Sequence, residues 1–111
     1  REWKKLTDRC MVYAVWAVNR DYAQANPQGV QLLYDRLYQS LNEGVRHKQE
    51  AIKGIINERP FTEAQVAEYM NVIKWNLTEE YIDNLRVFYD LAYEQHLIPR
   101  RPRIRIAEVN R

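Results

Sequence analysis

The chain has 111 residues, 46% of them hydrophobic, with eight Tyr and three Trp, enough for one compact domain with a core and too few for two. Its 29% charged residues and net charge of +2 argue against a disordered chain and against a dedicated nucleic-acid surface. One cysteine forms no internal disulfide, no apolar run reaches membrane-spanning length, and the N-terminal segment carries no cleavage site. The expectation is a cytoplasmic protein without a membrane partner.

Residues 1–9 are polar apart from Trp3 and Leu6, and read as a loop or short helical turn. They feed Cys10-Met11-Val12-Tyr13-Ala14-Val15-Trp16-Ala17-Val18, an apolar run ended by Asn19-Arg20-Asp21. Rich in β-branched and aromatic residues on both alternating faces, it predicts a strand buried on both sides. No second strand candidate follows. The chain also begins with Arg rather than Met, and both features are expected of a piece whose strand partners lie upstream.

Everything downstream reads as helix. Asn19 is placed to cap a short helix through Ala25, and Asn26-Pro27 both stops it and starts the next, with Asn26 capping an amide and Pro27 presetting the backbone. From Pro27 to Arg46, Val30, Leu33, Tyr34, Leu37, Tyr38, Leu41 and Val45 fall on one stripe. His47-Lys48 forms a junction before a second helical stretch with Ala51, Ile52, Ile55 and Ile56, which Arg59-Pro60 ends. Thr62 and Gln65 have capping-box spacing and open a helix over 63–74 that buries Val66, Tyr69, Met70 and Ile73. Thr78 caps the last helix, whose stripe is Ile82, Leu85, Phe88, Tyr89 and Ala92, running to about His96 before Pro99 and Pro102. The fold class expected from the residues is mostly α with one buried strand and four or five helices, a single partial domain over 1–111.

Little here carries chemistry by itself. His47 and His96 lack further ligands at metal spacing and lie near helix C-termini, where histidine is a dipole partner or solvated. Cys10 reads as a buried, inert thiol. The carboxylates Asp35, Glu43, Glu68 and Asp83 read as solvated helix faces, and the three glycines are dispersed, which argues against a phosphate loop. A helix-turn-helix reading of the last two helices is opposed by Glu79, Glu80, Asp83, Asp90 and Glu94, so no nucleic-acid partner is expected. The run Arg100-Arg101-Pro102-Arg103-Ile104-Arg105 reads as a solvated terminus, and Asn76-Leu77-Thr78 as a chance sequon.

The segments Trp3-Lys4-Lys5-Leu6-Thr7 and Val12 to Asp21, with Pro27, Val30, Leu33, Leu37, Ser40 and Gly44, then Tyr81, Leu85, Phe88, Tyr89 and Leu97-Ile98-Pro99, resemble the later part of the chorismate dehydratases of the futalosine menaquinone pathway, the MqnA family. That family has a Thr-Gly-x-Pro-Phe turn before an aromatic-Ala-x-Trp strand and a Gly-Leu-Ile-Pro-like end. The resemblance implies a two-lobed type II periplasmic-binding-protein α/β fold, with residues 10–18 crossing between lobes and a missing N-terminal lobe, or a second copy, supplying the sheet partners. It implies dehydration of chorismate, a small anionic substrate bound by the complete protein, to 3-enolpyruvyl-benzoate without metal or organic cofactor.

Here the turn is Thr7-Asp8-Arg9-Cys10-Met11, without the glycine or the proline. Asp8 adopts glycine-type angles less cheaply and brings a carboxylate to a site expected to hold an anion. Thr7 is the one ligand-contact candidate matching the motif. Tyr13 and Trp16 are cleft-lining candidates for which buried packing is the stronger expectation. No catalytic residue is transferred to this chain, which is expected to be inactive alone. A piece of a non-catalytic solute-binding protein and a self-standing helical interaction module remain as alternatives.

Overall fold

A computed structural model describes residues 1–58 and 60–111. It contains six α-helices among the described residues: α1 (Glu2–Thr7), α2 (Arg20–Ala25), α3 (Pro27–Arg46), α4 (Lys48–Ile55), α5 (Glu63–Val72) and α6 (Glu79–Glu94), with a 3-10 turn at Ile56–Glu58. The chain divides into two compact units, one made of 1–18 and 76–107, the other of 19–75 and 108–111.

The expected strand is overturned. No strand occurs among the described residues, and residues 10–18 have no regular secondary structure and no backbone hydrogen bond. Nor is the run buried: Tyr13 is 81% and Trp16 87% exposed, and Cys10 is exposed rather than sequestered. The cause is topological. A strand is stabilised by a ladder to a neighbour, and the described residues contain no second strand to pair with this run, which leaves its amides to water. The mixed α/β architecture goes with it, since what the chain forms is helical.

In the first unit, α1 packs on α6. Trp3 meets Phe88 with ring centroids 5.6 Å apart, and Phe88 in turn meets Tyr89 at 5.8 Å. Ile82 and Asn84 of α6 are buried. Thr78 caps α6 by accepting from the Tyr81 amide at 3.2 Å, and Glu79 and Glu80 occupy its first turn, as the sequence predicts. The helix ends earlier than expected, at Glu94. Leu97 N–H donates to Ala92 O and His96 N–H to Tyr93 O, the paired bonds of a Schellman turn, with His96 left-handed at φ 58°. The tail then folds back on the helix: Arg101 stands 3.4 Å from Asp90, 3.8 Å from Glu94 and 4.9 Å from the Tyr93 ring centroid.

In the second unit, Asn19 caps α2 through the Tyr22 amide at 3.1 Å. Asn26 precedes Pro27 at the start of α3 as expected, but its side chain donates to Tyr22 O instead of capping α3. The Tyr22 carbonyl, which already accepts from the Asn26 amide at 2.8 Å, takes the side chain as a second donor. The α3–α4 junction at His47 stands where the sequence places it, and α5 opens on the full capping box of Thr62 and Gln65. It stops at Val72, two residues early, because Ile73 is extended. The expected end of the α4 stretch at Arg59 lies outside the described residues.

Helices α2 and α3 touch closely enough that a Cβ on Gly29 would lie 2.5 Å from the Tyr22 hydroxyl. Ile52 is fully buried where α4 packs on α5, and Val30 is buried on α3. The amphipathic stripes are covered only in part. Tyr34, Leu37 and Leu41 are half-buried, whereas Leu33, Tyr38, Val45 and Tyr69 are exposed. The core is therefore thinner than the apolar content suggests.

Candidate functional site

The turn Thr7-Asp8-Arg9 joins α1 to the irregular run and is the most organised polar feature of the first unit. It begins with a local competition. The Thr7 hydroxyl donates to Trp3 O at 2.8 Å, one helical turn back, and accepts from the Arg9 amide at 3.2 Å. Both bonds draw the backbone out of the helix just past Thr7. Asp8 then takes the left-handed conformation, φ 56° and ψ 26°, with its amide donating to Lys4 O at 2.8 Å. Its carboxylate is in solvent, 3.6 Å from the Lys4 ammonium.

Arg9 follows and turns back toward α6. Its Nη1 donates to Asn84 Oδ1 at 2.9 Å, which fixes the turn to a helix seventy-five positions away in the chain. Asn84 is only 3% exposed, and its Nδ2 has no partner. Trp3 Nε1 is also buried and unpartnered. Two buried donors of the first unit are therefore without a partner, each costing on the order of 1–3 kcal/mol in the folded chain.

Of the three sequence-predicted site residues, the structure puts Thr7 in this turn and leaves Tyr13 and Trp16 on the exposed run that leaves it. Thr7 has spent its single proton on Trp3 O, so its remaining capacity is to accept a hydrogen bond from a ligand. Arg9, Asn84 and Trp3 were not singled out from sequence. The signal available was Asn84, a polar residue one helical turn before Phe88 on the packed side of α6, a position an unpaired amide rarely occupies. A shallow groove lined by Tyr93, His96, Leu97, Ile98 and Pro99 lies at the far end of α6 and includes none of the three candidates.

No group of three His, Cys, Asp or Glu side chains able to hold a metal occurs among the described residues. His47 lies 3.6 Å from Glu43 on an exposed helix face, and His96 sits in the Schellman turn. No helix among the described residues is long and apolar enough to cross a membrane.

The model of a protein family described as menaquinone biosynthesis matches residues 1–94, from α1 to the last residue of α6. The chain belongs to that family. The match holds both the Thr7 turn and Asn84, and stops before Leu97-Ile98-Pro99. No curated protein and no solved structure matches the chain. Its place in menaquinone biosynthesis thus rests on the family, and its chemistry has to be argued from the turn.

Proposed function

We propose that this menaquinone-biosynthesis family member serves the chorismate dehydratase step, as the C-terminal portion of a cytoplasmic protein that is inactive without its remainder. The reading is supported by one coincidence of sequence and backbone. Among the described residues, the non-glycine positions of positive φ are Asp8 and His96. These are the positions at which the resembled dehydratases carry the glycines of their Thr-Gly-x-Pro-Phe turn and Gly-Leu-Ile-Pro-like end. A left-handed residue where a glycine is expected means that the turn survives although its permissive residue does not.

The chemistry asked of the turn is modest. Dehydration of chorismate removes a ring proton and the ring hydroxyl as water and leaves an aromatic ring, so the substrate offers a hydroxyl donor beside two carboxylates. Thr7 Oγ1, with a lone pair still free, accepts from that hydroxyl. Tyr13 and Trp16, both exposed, supply apolar faces for the ring, and Arg9 holds the turn through Asn84. No catalytic acid or base is assigned to this chain, and the reading requires no metal or organic cofactor.

The test is chorismate consumption by the full-length parent, followed by loss of chorismate and appearance of 3-enolpyruvyl-benzoate. Asp8→Gly is expected to raise turnover, and Thr7→Val to lower it. Absence of turnover in both the parent and Asp8→Gly would sink the dehydratase reading. The Asp8 carboxylate, standing where the dehydratases have no side chain, opposes an anionic ligand and favours a second reading, part of a non-catalytic solute-binding protein; a parent that neither binds nor turns over chorismate would select it.

A further inference from the structure

We propose that Arg9 is the carboxylate-binding residue of the Thr7 turn, with Asn84 as its positioning residue. The inference rests on the chorismate reading above and names the group that takes hold of the ligand's negative charge.

The starting point is the partner of Arg9. Its Nη1 donates to Asn84 Oδ1 at 2.9 Å, an uncharged acceptor on a side chain only 3% exposed. A buried Asp at this place would be the stronger acceptor, and it would also cancel the guanidinium charge. An amide fixes the arginine and leaves its charge whole. The bond decides which way round the amide lies, because arginine offers no acceptor and Oδ1 must face it. Asn84 Nδ2 is thereby turned away from Arg9 and is buried without a partner. A buried amide left half-satisfied is the kind of local cost that functional sites carry.

The charges around the turn point the same way. Residues 2–9 hold three cations and two anions. Glu2 lies 3.3 Å from Lys5 and Asp8 3.6 Å from Lys4, so those four cancel in pairs and Arg9 is the charge left over among them. Asp83, the neighbour of Asn84, is taken by Arg86 at 2.6 Å. The Asp8 side chain is 97% exposed, where water weakens its repulsion of an anion, whereas Arg9 is half-buried and its attraction is screened less.

The shape of the group suits the ligand. With Nη1 given to Asn84, the Nε–Nη2 edge of the guanidinium presents two parallel N–H donors, the pair that matches a carboxylate. The Arg9 amide donates to Thr7 Oγ1 at 3.2 Å, so the oxygen that accepts from a ligand hydroxyl and the fork that binds a carboxylate belong to adjoining residues of one turn. Chorismate offers both groups. An acidic residue elsewhere in the parent protein is the competing occupant of the fork, and the experiment separates the two.

Both carboxylates of chorismate remain in 3-enolpyruvyl-benzoate, so a contact to either is made before and during the reaction alike, and its loss moves KM rather than kcat. In the full-length parent, Arg9→Gln is expected to raise KM, and the Kd for chorismate from calorimetry, roughly ten- to a hundredfold, with kcat changed by less than about twofold. Arg9→Lys keeps the charge and loses the fork, and should recover part of the affinity. Asn84→Asp keeps the bond to Arg9 but neutralises it, so chorismate affinity should fall about tenfold; a role confined to the shape of the turn would leave affinity unmoved. Arg105→Gln, which removes an exposed charge of the tail, should change neither constant. Turnover by the parent with KM and Kd unmoved in Arg9→Gln overturns this inference and leaves the dehydratase reading standing. An unmoved Kd together with a lowered melting temperature in that variant gives the fork to an acidic residue of the parent, which also overturns it. A parent that neither binds nor turns over chorismate overturns both.

Discussion

Residues 10–18 and helix α6 are both rich in large apolar side chains, yet α6 buries Ile82 and Asn84 and the run exposes Tyr13 and Trp16. The difference lies in where the backbone finds its partners. A helix closes its hydrogen bonds four residues away and then needs only one neighbour for its stripe. A strand closes none of its own, so its apolar side chains are stranded until another strand arrives. Hydrophobicity proposes burial in both, and local hydrogen bonding decides which is ordered.

Substitutions break or sharpen this contrast. The largest effect is expected for Ile82→Ala, about 3 kcal/mol lost in denaturant unfolding, because the site is buried and cannot collapse fully. Asn84→Ala should cost about 1–2 kcal/mol by taking the acceptor from Arg9, with Asn84→Leu costing less because it also removes the orphan donor. Thr78→Ala, which uncaps α6, should cost about 1 kcal/mol in the same measurement. His96→Gly runs the other way, raising stability by about 0.5–1 kcal/mol as the left-handed strain is relieved. Trp16→Ser, despite deleting the largest side chain of the run, should move unfolding by less than about 0.5 kcal/mol, since the ring is already in water. A loss there as large as that at Ile82 would mean that the run is packed in the folded chain.

The same distinction explains what the sequence revealed. The caps at Asn19, Thr62 and Thr78, the proline start of α3 and the break at His47 are short-range events, and all stand where the pattern puts them. Asn26 shows the limit of that reading, because two helix ends compete for one side chain and the pattern does not rank them. Of the candidate site, Thr7 was legible through its motif. The Arg9–Asn84 bond was not, since a contact spanning seventy-five positions leaves no local periodicity. The strand failed for a related reason: its existence is a property of a pair of segments, and one segment was read.

The Arg101 clasp on Asp90, Glu94 and Tyr93 implies that the C-terminal tail is a salt-released tether. Arg101, Asp90 and Glu94 are each about half exposed, so mobile ions screen the attraction, while the Schellman turn before it is held by backbone bonds that ions leave alone. Raising ionic strength should loosen the tail around Arg101 but keep α6 closed, while the neutral bonds between Asn110 and Gln31, at 2.6 and 2.9 Å, still hold the end of the tail. Trypsin would then cut after Arg103 and Arg105 faster in high salt, with cleavage within α6 unchanged.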